Sequence, residues 1–462
     1  GALEQIVHGE NGILTDFTPE DIADKLELLL TNEELRQKIR DSLTDFDNTT
    51  EIVESFGRLV SKEELSGLEK DILFVFDDVN YPSGAQMVTA AQIRAIQSDF
   101  SITVFSLTSP KPETKKQFGN VEWITVPPQT KVACYGTPAS QVLKNPECSF
   151  SQKVARIWFA LLGKVGRQDA AMERALQVQF AKSFEAFDVV CVVSEASRMR
   201  SMVAGLEHPK KVQWIHTDYS LWSQFSDWTR QVTRNDAHLY AYFDRIVCLS
   251  ECNRKGFVDK LPTLAGKTVV LKNVLPVEQI TARAEEPLTV QLPSKQQKWL
   301  LTIGRLEQEK AMDQLLELSA RLKRIADFRW FIVGDGPQRE ELERQCRRLG
   351  LEQTVLFTGQ MENPYPLLKK ADAFVLLSRY EGMPVTIEEA KILGIPVIAT
   401  AVGGIPEQIR EGVNGCLIDG NAEDAFPVLK DFLENNLEIE PVPERDEYAR
   451  AIQEVKQMFM TV

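Results

Sequence analysis

The chain has 462 residues, of which 43% are hydrophobic and 26% are charged, and its formal net charge is −14. This length is too great for one hydrophobic core, so two or three domains are expected. The negative charge argues against a nucleic-acid partner. No apolar run approaches the roughly 18 residues of a membrane-spanning helix. The seven cysteines are scattered, which is typical of reduced thiols, so we predict a cytoplasmic protein without a disulfide framework or a zinc site.

A repeated segment marks the two ends of the sequence. Residues 1–16 and 404–419 share nine identical positions in sixteen, and a helical pattern follows each of them. The second copy ends a complete predicted domain. We therefore interpret 1–66 as the C-terminal tail of a preceding module, similar to the one that ends at the second copy, together with its connector. Chance similarity of two strand–turn–helix units is the alternative. The D-x-D sequence Asp45–Asp47 is interpreted as helix-end charges and not as a metal-binding motif.

From residue 71 onward, apolar runs of strand length alternate with helical patterns. This alternation predicts a parallel sheet that is covered by helices on both faces. The first series of predicted strands comprises Ile72–Phe76, Ile102–Phe105, Val189–Val193, Val212–Ile215, Ile246–Leu249 and Val269–Leu271.

A second series of strands and helices begins at Trp299. Its predicted strands are Trp299–Ile303, Phe328–Val333, Val355–Phe357, Ala373–Leu377 and Pro396–Ala399. The sequence therefore predicts an α/β protein with two doubly wound, Rossmann-like domains, 67–275 and 276–440. Within the second domain, the polar segment 276–297 is predicted to be a linker. A C-terminal helix in 441–462 is expected to cross back to the first domain.

Two cations follow the first strand of the second domain, in the sequence GRLEQEK from Gly304 to Lys310. Ligands of open α/β sheets bind at the carboxyl ends of the strands, where this loop lies. Gly304 allows the backbone to turn close to a ligand. Arg305 and Lys310 together could neutralise a diphosphate leaving group without a metal ion. Two surface cations at the end of a strand are the alternative.

Two acids bracket the start of a predicted helix in the sequence EGMPVTIEE from Glu381 to Glu389. The free N–H groups of the first helical turn, from Val385 and Thr386, could hold phosphate oxygens. A carboxylate at each end of such an anion site suits a polyol, because each can accept hydrogen bonds from hydroxyl groups. The alternative is that Glu388 and Glu389 are solvated charges near a helix N-terminus.

Two further positions lie at strand ends of the first domain. His216 follows a predicted strand and could face the cleft between the domains, although a lone histidine is more often structural. Ser83 and Gly84 form a turn that opens a helix after the first strand. This turn could bind phosphate or line an acceptor groove, but it lacks the three-glycine dinucleotide fingerprint.

These motifs, taken in order, resemble a known family. The sequence reads G-R-L-x-x-x-K, V-G-D-G-P, F-x-G, S-R-Y-E-G-M-P-x-x-x-x-E and G-G-I-P-E-x-I-x-x-G-x-N-G. This series resembles the retaining GT-B glycosyltransferases of family four, also called group one. The resemblance is strong over 299–420 and looser over 71–275. One departure is the Ser83–Gly84 loop, where the family often has a pair of glycines.

The resemblance implies roles for the residues already named. Arg305 and Lys310 would hold the donor diphosphate, Glu381 the transferred sugar and Glu389 the ribose, and His216 would contact the donor sugar from the first domain. The loop that follows Gly359 would lie near the base, and Asn273 would belong to the hinge motif. The remaining implied donor-binding positions are Gly304, Gly382, Met383, Pro384, Val385 and Thr386.

The implied reaction is transfer of a hexose, with retention, from a nucleotide-diphosphate sugar to a glycan or lipid-linked acceptor. Such enzymes serve cell-surface polysaccharide synthesis and need no metal or cofactor besides the co-substrate, for which UDP is favoured over GDP. Alternatives are a non-catalytic GT-B partner or chaperone subunit and a nucleotide-sugar epimerase. A nicotinamide dehydrogenase is disfavoured because the three-glycine turn is missing.

A basic and aromatic segment, 153–167, completes the set of candidates. It is basic at both ends and apolar between them, with Trp158 and Phe159 at its centre. Such a segment could lie in a membrane interface and bring the protein to a lipid-linked acceptor at the inner face of the cell membrane. A partly buried helix beside the acceptor groove is the alternative.

Overall fold

The computed structural model describes residues 70–462 apart from 82, 128–129, 165–166, 289–291, 293–294, 438, 440, 442 and 444–445. The predicted module tail 1–66 and its D-x-D sequence lie outside the described residues. Within those residues, two parallel sheets with flanking helices form two Rossmann-like domains. The predicted α/β class and the two doubly wound domains are confirmed.

The first domain contains seven described strands. They are β1 (Asp71–Phe76), β2 (Ser101–Ser106), β3 (Glu122–Thr125), β4 (Val189–Val192), β5 (Lys210–Ile215), β6 (Arg245–Cys248) and β7 (Thr268–Val270). Their order in the sheet is β3-β2-β1-β4-β5-β6-β7, and neighbouring strands are parallel.

The helices of this domain follow the strands in alternation. They are α1 (Gly84–Ile96), α2 (Pro112–Phe118), α3 (Lys131–Gly136), α4 (Ala139–Lys144), α5 (Phe150–Lys164), α6 (Gln168–Phe184), α7 (Arg200–Ala204), α8 (Tyr219–Phe225), α9 (Asp227–Thr233), α10 (Asp236–Tyr240) and α11 (Glu251–Lys260). A 3₁₀ turn, Pro262–Lys267, precedes β7.

Strand β1 shows why the sheet strands are continuous apolar runs. Ile72 and Phe74 belong to the core on one face of the sheet, and Leu73 and Val75 belong to the core on the other. Since successive residues of a strand point to opposite faces, a strand that is covered on both sides needs apolar residues at every position. Strand β3 was not predicted, because it is short, lies at the edge of the sheet and is only partly buried.

The second domain contains six described strands. They are β8 (Lys298–Ile303), β9 (Phe328–Val333), β10 (Val355–Gly359), β11 (Ala373–Leu376), β12 (Val397–Thr400) and β13 (Gly415–Ile418). Their order is β10-β9-β8-β11-β12-β13, and neighbouring strands are parallel. The helices are α12 (Val277–Arg283), α13 (Met312–Leu322), α14 (Arg339–Arg348), α15 (Tyr365–Leu368), α16 (Val385–Ile392), α17 (Ala425–Leu433) and α18 (Asp446–Thr461).

The predicted linker 276–297 is partly wrong. Its first residues form α12, and Val277 and Ile280 of this helix pack into the same core as Trp299 and Phe374 of the second sheet. Polar residues around the apolar positions conceal this short helix in the sequence. The segment is therefore an element of the second domain and not a free connector.

The C-terminal helix α18 contacts both domains. Near its start, the hydroxyl of Tyr448 donates a hydrogen bond to Glu388 on α16. Near its end, the ring of Phe459 lies 5.8 Å from that of Phe74 and 5.9 Å from that of Phe100 in the core of the first domain. Helix α18 thus bridges the two domains, and Lys70 donates to the last carbonyl groups of the helix.

The chain passes between the domains in two places. The first crossing joins β7 to α12, and the second joins α17 to the end of α18. Lys272 of the first crossing forms an ion pair with Glu447 of α18, so the two crossings touch each other. Separately, none of the described helices combines the length and the apolar character needed to cross a bilayer.

Candidate functional site

The candidate site is formed by loops at the carboxyl ends of neighbouring strands. In the second sheet, β8 and β11 are adjacent, and they are followed by the Gly304–Lys310 loop and by the loop that leads into α16. In the first sheet, β5 is followed by His216. These strand ends are where open α/β sheets bind ligands.

Lys310 and Glu381 are brought together by the fold. The Nζ of Lys310 lies 2.5 Å from Oε1 of Glu381, and the hydroxyl of Ser378 donates to the same oxygen at 2.6 Å. Both charged side chains are largely buried, at 16% and 10% exposed. Ala311 follows Lys310 with a left-handed φ of 51°, a conformation that non-glycine residues seldom adopt. We interpret this conformation as local backbone strain that orients the side chain of Lys310.

Arg305 lies on the same loop but has different partners. Its guanidinium pairs with Glu307 at 3.0 Å and with Glu309 at 3.3 Å, and it remains 57% exposed. Tyr81, from the loop after β1, lies close enough to Arg305 that its hydroxyl, after Glu307 and Glu309, helps to raise the pKa of the guanidinium. Arg305 therefore lies where the two domains meet, with acids of its own loop on one side and the first domain on the other.

Arg379 ties this loop to the loop after β11. Its backbone N–H donates to the carbonyl of Glu309 at 2.7 Å, and its guanidinium pairs with Asp313 at 2.8 Å. Sequence reasoning did not assign a role to Ser378 or Arg379, although both belong to the S-R-Y-E-G motif that it quoted. Their function here is to fix the relative position of Lys310 and Glu381.

Glu389 is buried on α16 and faces away from the solvent. The hydroxyl of Tyr365 donates to its Oε1 at 2.8 Å. Burial raises the pKa of Glu389 to about 7, although the hydrogen bond from Tyr365 acts in the opposite direction. Among the described contacts, Glu389 meets Tyr365 and not the Lys310–Glu381 pair.

Glu388 is also buried, so the alternative that Glu388 and Glu389 are solvated helix charges is wrong. Glu388 is 3% exposed and Glu389 is 4% exposed. Glu388 is neutralised by Lys391 at 3.0 Å, and Gln408 donates to it at 2.7 Å. Glu388 thus anchors α16, whereas Glu389 points to a different face of the helix.

The backbone from Gly382 to Thr386 lies against the first domain. A Cβ atom built on Gly382 would lie 2.0 Å from the carbonyl oxygen of His216, which only a glycine avoids. The Nδ2 of Asn273 donates to the carbonyl of Met383 at 3.4 Å. Pro384 precedes α16, whose first residues are Val385 and Thr386. The first turn of α16 therefore opens at the boundary between the two domains.

Two other predicted glycines occupy turns of the second domain. Gly304 lies beside the side chain of Lys310, whose Cε would be 3.5 Å from an added Cβ. Gly359 ends β10 with a φ of 76°, and its carbonyl accepts from Gly334 at 2.9 Å. Positive φ favours glycine at this position.

His216 lies on the side of the first domain that faces the second domain. Its imidazole lies against the carbonyl of Val193, and burial lowers its pKa, so the neutral form is favoured. Its Nε2 is buried without a hydrogen-bond partner among the described residues. Glu195 fixes the following turn, because it accepts from the backbone N–H of Thr217 at 3.0 Å and from its hydroxyl at 2.5 Å. No sequence signal pointed to Glu195.

The Ser83–Gly84 turn faces the start of α16. Ser83 caps α1 by accepting from the backbone N–H of Gln86 at 3.1 Å. A Cβ on Gly84 would lie 3.3 Å from Cγ2 of Val385. This turn therefore lies across the domain boundary from the predicted donor loop. In the described part of the chain, no group of three or more histidine, cysteine, aspartate or glutamate side chains is arranged to hold a metal ion.

The family model described as "Glycosyl transferases group 1" matches residues 285–455. Residues 285–455 therefore have the sequence of a group 1 glycosyltransferase domain. The match covers the second domain and most of α18, and it includes Arg305, Lys310, Glu381 and Glu389.

Several curated relatives of this chain are named as glycosyltransferases. N-acetyl-alpha-D-glucosaminyl L-malate synthase of Bacillus anthracis is 34% identical over 143 residues, which are 30% of this chain and 38% of that protein. N-acetylgalactosamine-N,N'-diacetylbacillosaminyl-diphospho-undecaprenol 4-alpha-N-acetylgalactosaminyltransferase of Campylobacter jejuni is 29% identical over 200 residues, 43% of this chain and 53% of that protein. The chain thus spans about half or less of the length of these relatives.

Solved structures are similar to both domains of this chain. Anabaena HepE, crystallised with UDP and glucose, matches with a TM-score of 0.62 and 17% identity, covering 85% of this chain and 100% of that one. Sucrose-phosphate synthase from Thermosynechococcus elongatus matches with a TM-score of 0.60 and 14% identity, covering 85% and 99%. These likenesses establish the GT-B fold.

One contact between the two domains was not predicted. The carboxylate of Glu407, in the 3₁₀ turn Ile405–Glu407, accepts from the backbone N–H of Glu251 at 3.0 Å and from that of Cys252 at 2.8 Å. These are the first two N–H groups of α11, which have no partner inside their own helix. Glu407 of the second domain therefore caps a helix of the first and helps to hold the two domains together.

Proposed function

We propose that this chain is a retaining hexosyltransferase that uses a nucleotide-diphosphate sugar, with UDP as the nucleotide. The observation that carries the proposal is the buried Lys310–Glu381 pair, which lies at the strand ends of the second sheet. A cation and an acid side by side suit a ligand that presents phosphate oxygens next to sugar hydroxyls. The group 1 family membership of residues 285–455 supports the same conclusion.

In this proposal, the donor diphosphate lies over the Gly304–Lys310 loop. Because Arg305 is exposed, its guanidinium can leave Glu307 and Glu309 of its own loop and bind phosphate oxygens instead. Lys310 already carries its charge beside Glu381, and the first N–H groups of α16 add further donors. UDP rather than GDP is favoured because HepE, which shares this fold, was crystallised with UDP and UDP-glucose.

The two acids would contact different hydroxyl groups of the donor. Glu381 would accept hydrogen bonds from the transferred sugar, which lies next to the diphosphate. Glu389 is proposed to accept from the ribose hydroxyls, in place of the hydrogen bond that it now receives from Tyr365. The loop that follows Gly359 would lie near the base. Nε2 of neutral His216 can accept a hydrogen bond from a sugar hydroxyl across the cleft.

The proposed transfer proceeds on one face of the sugar. The bond from the anomeric carbon to the β-phosphate oxygen breaks, and the acceptor hydroxyl oxygen bonds to that carbon from the same side. The acceptor proton passes to the leaving phosphate, so UDP and the glycoside are the products. Arg305 and Lys310 stabilise the negative charge that develops on the phosphate, and no metal ion is needed. Closure of the two domains excludes water.

The proposed acceptor is a glycan or a lipid-linked sugar, used in cell-surface polysaccharide synthesis at the inner face of the cell membrane. Two relatives support this class. One is named a lipopolysaccharide core biosynthesis glycosyltransferase, and the other carries a diphospho-undecaprenol-linked sugar in its name. The Ser83–Gly84 turn, opposite the start of α16, would line the acceptor side of the cleft.

The test is release of UDP from a panel of UDP-hexoses and UDP-N-acetylhexosamines, with bacterial lipid extracts as the acceptor source. We expect release that EDTA does not reduce, and a product with the anomeric configuration of the donor by NMR. Lys310→Ala should lower the rate by about 10²-fold or more. Lys430→Ala is the matched control, because Lys430 pairs with Glu434 on the outer helix α17.

Three results would contradict the proposal. Donor binding without UDP release across the panel would identify a non-catalytic partner protein. Conversion of the donor to its epimer without acceptor would identify an epimerase. An inverted product would refute the one-face transfer while leaving glycosyltransfer intact.

A further inference from the structure

Helix α5 exposes an unusual amount of apolar surface. Phe150 is 83% exposed and Trp158 is 60% exposed, and Val154, Ile157 and Leu161 are each nearly half exposed. At 100° per residue these five side chains fall within about 100° of the helix circumference. They form one continuous stripe, about 16 Å long from Phe150 to Leu161. We refer to these five residues as the apolar stripe.

The opposite side of α5 anchors the helix to the domain. Phe159 is buried and stacks on Tyr135 of α3, with ring centroids 4.3 Å apart. Arg156 lies over the ring of Phe159 and donates to the carbonyl of Thr137 at 2.8 Å. The apolar stripe is therefore displayed by a helix that is already fixed in place. Phe159, which lies beside Trp158 at the centre of the basic and aromatic segment, is therefore part of the domain core.

The charge around the apolar stripe is opposite to that of the chain as a whole. Between residues 144 and 167 there are five basic residues and one acidic residue. The whole chain carries 67 acidic and 53 basic residues. Lys153 and Lys164 lie on the flank of the apolar stripe in the helical projection. A local basic surface around exposed aromatic and aliphatic side chains is complementary to a membrane interface, where negatively charged headgroups lie above apolar acyl chains.

We propose that α5 docks on a lipid bilayer that contains anionic phospholipids, with the apolar stripe inserted at the level of the headgroups. Trp158 suits this depth because its ring is apolar and its N–H is polar. Lys153 and Lys164 would lie among the phosphates. The helix would lie in the plane of the membrane and not cross it. This inference goes beyond the proposed sugar transfer, because it assigns a partner to a surface outside the donor site and stands if no transfer occurs.

The experiment is flotation of the full chain with vesicles of phosphatidylcholine alone or mixed with phosphatidylglycerol. We expect the wild-type protein to float with the mixed vesicles. The double variant Trp158→Glu, Leu161→Glu should bind at least tenfold less. The double variant Lys153→Glu, Lys164→Glu should bind about 25-fold less, since each lysine near an anionic surface contributes about fivefold.

The matched control is Trp228→Glu on α9, because this tryptophan is 54% exposed and lies on another helix. It should float like the wild type. All variants should keep the wild-type thermal midpoint, which separates loss of docking from loss of fold. Equal flotation of the apolar double variant would overturn the proposal, as would absence of flotation by the wild type. A concentration-dependent dimer that Trp158→Glu dissociates, without vesicle binding, would assign the stripe to a second copy instead.

Discussion

Gly382 lies in close contact with the first domain, and its replacement by alanine tests whether activity depends on this close approach. The added Cβ would lie 2.0 Å from the carbonyl oxygen of His216 and 3.0 Å from its carbonyl carbon. Atoms of this kind do not approach below 3.0 Å. The cleft would therefore have to open by at least about 1 Å at this point.

A misplacement of about 1 Å between reacting groups can cost about 10²-fold in rate. We expect Gly382→Ala to lower the turnover number for UDP release by about this factor. The free energy of unfolding should change little, because the strain is relieved by separation of the domains and not by loss of core packing. Gly266→Ala is the matched control, since an added Cβ there meets nothing within 4 Å.

The assay combines steady-state UDP release with small-angle X-ray scattering of the donor-bound protein. Gly382→Ala should show lower turnover and a larger radius of gyration than the wild type. Turnover within threefold of the wild type, in a protein with an unchanged scattering profile, would refute the reasoning. A large fall in the thermal midpoint would show instead that the strain is absorbed within one domain.

Three further predictions follow from the site. Arg305→Ala should lower UDP release by about 10²-fold, and Arg305→Lys should recover part of it, in the same rate assay. The pKa of Glu389 is about 7, and ribose hydroxyls would favour its ionised form. Calorimetry should therefore find UDP-glucose bound about tenfold more weakly at pH 6 than at pH 8. Glu389→Gln should abolish this difference. Glu407→Gln should increase the radius of gyration measured by scattering, because it weakens the two hydrogen bonds that cap α11. Glu423→Gln should leave the radius of gyration unchanged.

The architecture could be predicted from the sequence because a parallel sheet has a simple pattern. Strands that are covered on both faces, such as Ile72–Phe76 and Phe328–Val333, are continuous apolar runs with turns between them. The pattern failed where burial was incomplete. Strand Glu122–Thr125 lies at a sheet edge, and α12 buries only a few apolar side chains among polar neighbours.

The site could be predicted only where its residues share a loop. Gly304–Lys310 and Glu381–Glu389 each form a local motif, and the meeting of Lys310 with Glu381 follows from the adjacency of β8 and β11. Contacts that depend on the relative position of the domains leave no local pattern. The capping of α11 by Glu407 is one, and the approach of Tyr81 to Arg305 is another. The proposed roles of Glu389 and His216 stay predictions that the substitutions above address.

The ion pair between Lys272 and Glu447 has a mechanical consequence. It joins the two covalent crossings between the domains, so both connections lie side by side at one edge of the cleft. Two domains that are connected at neighbouring points can rotate about a line through those points but cannot separate by translation. We therefore expect any opening of this cleft to be a rotation with its axis near Lys272, about which the loop that bears His216 would turn.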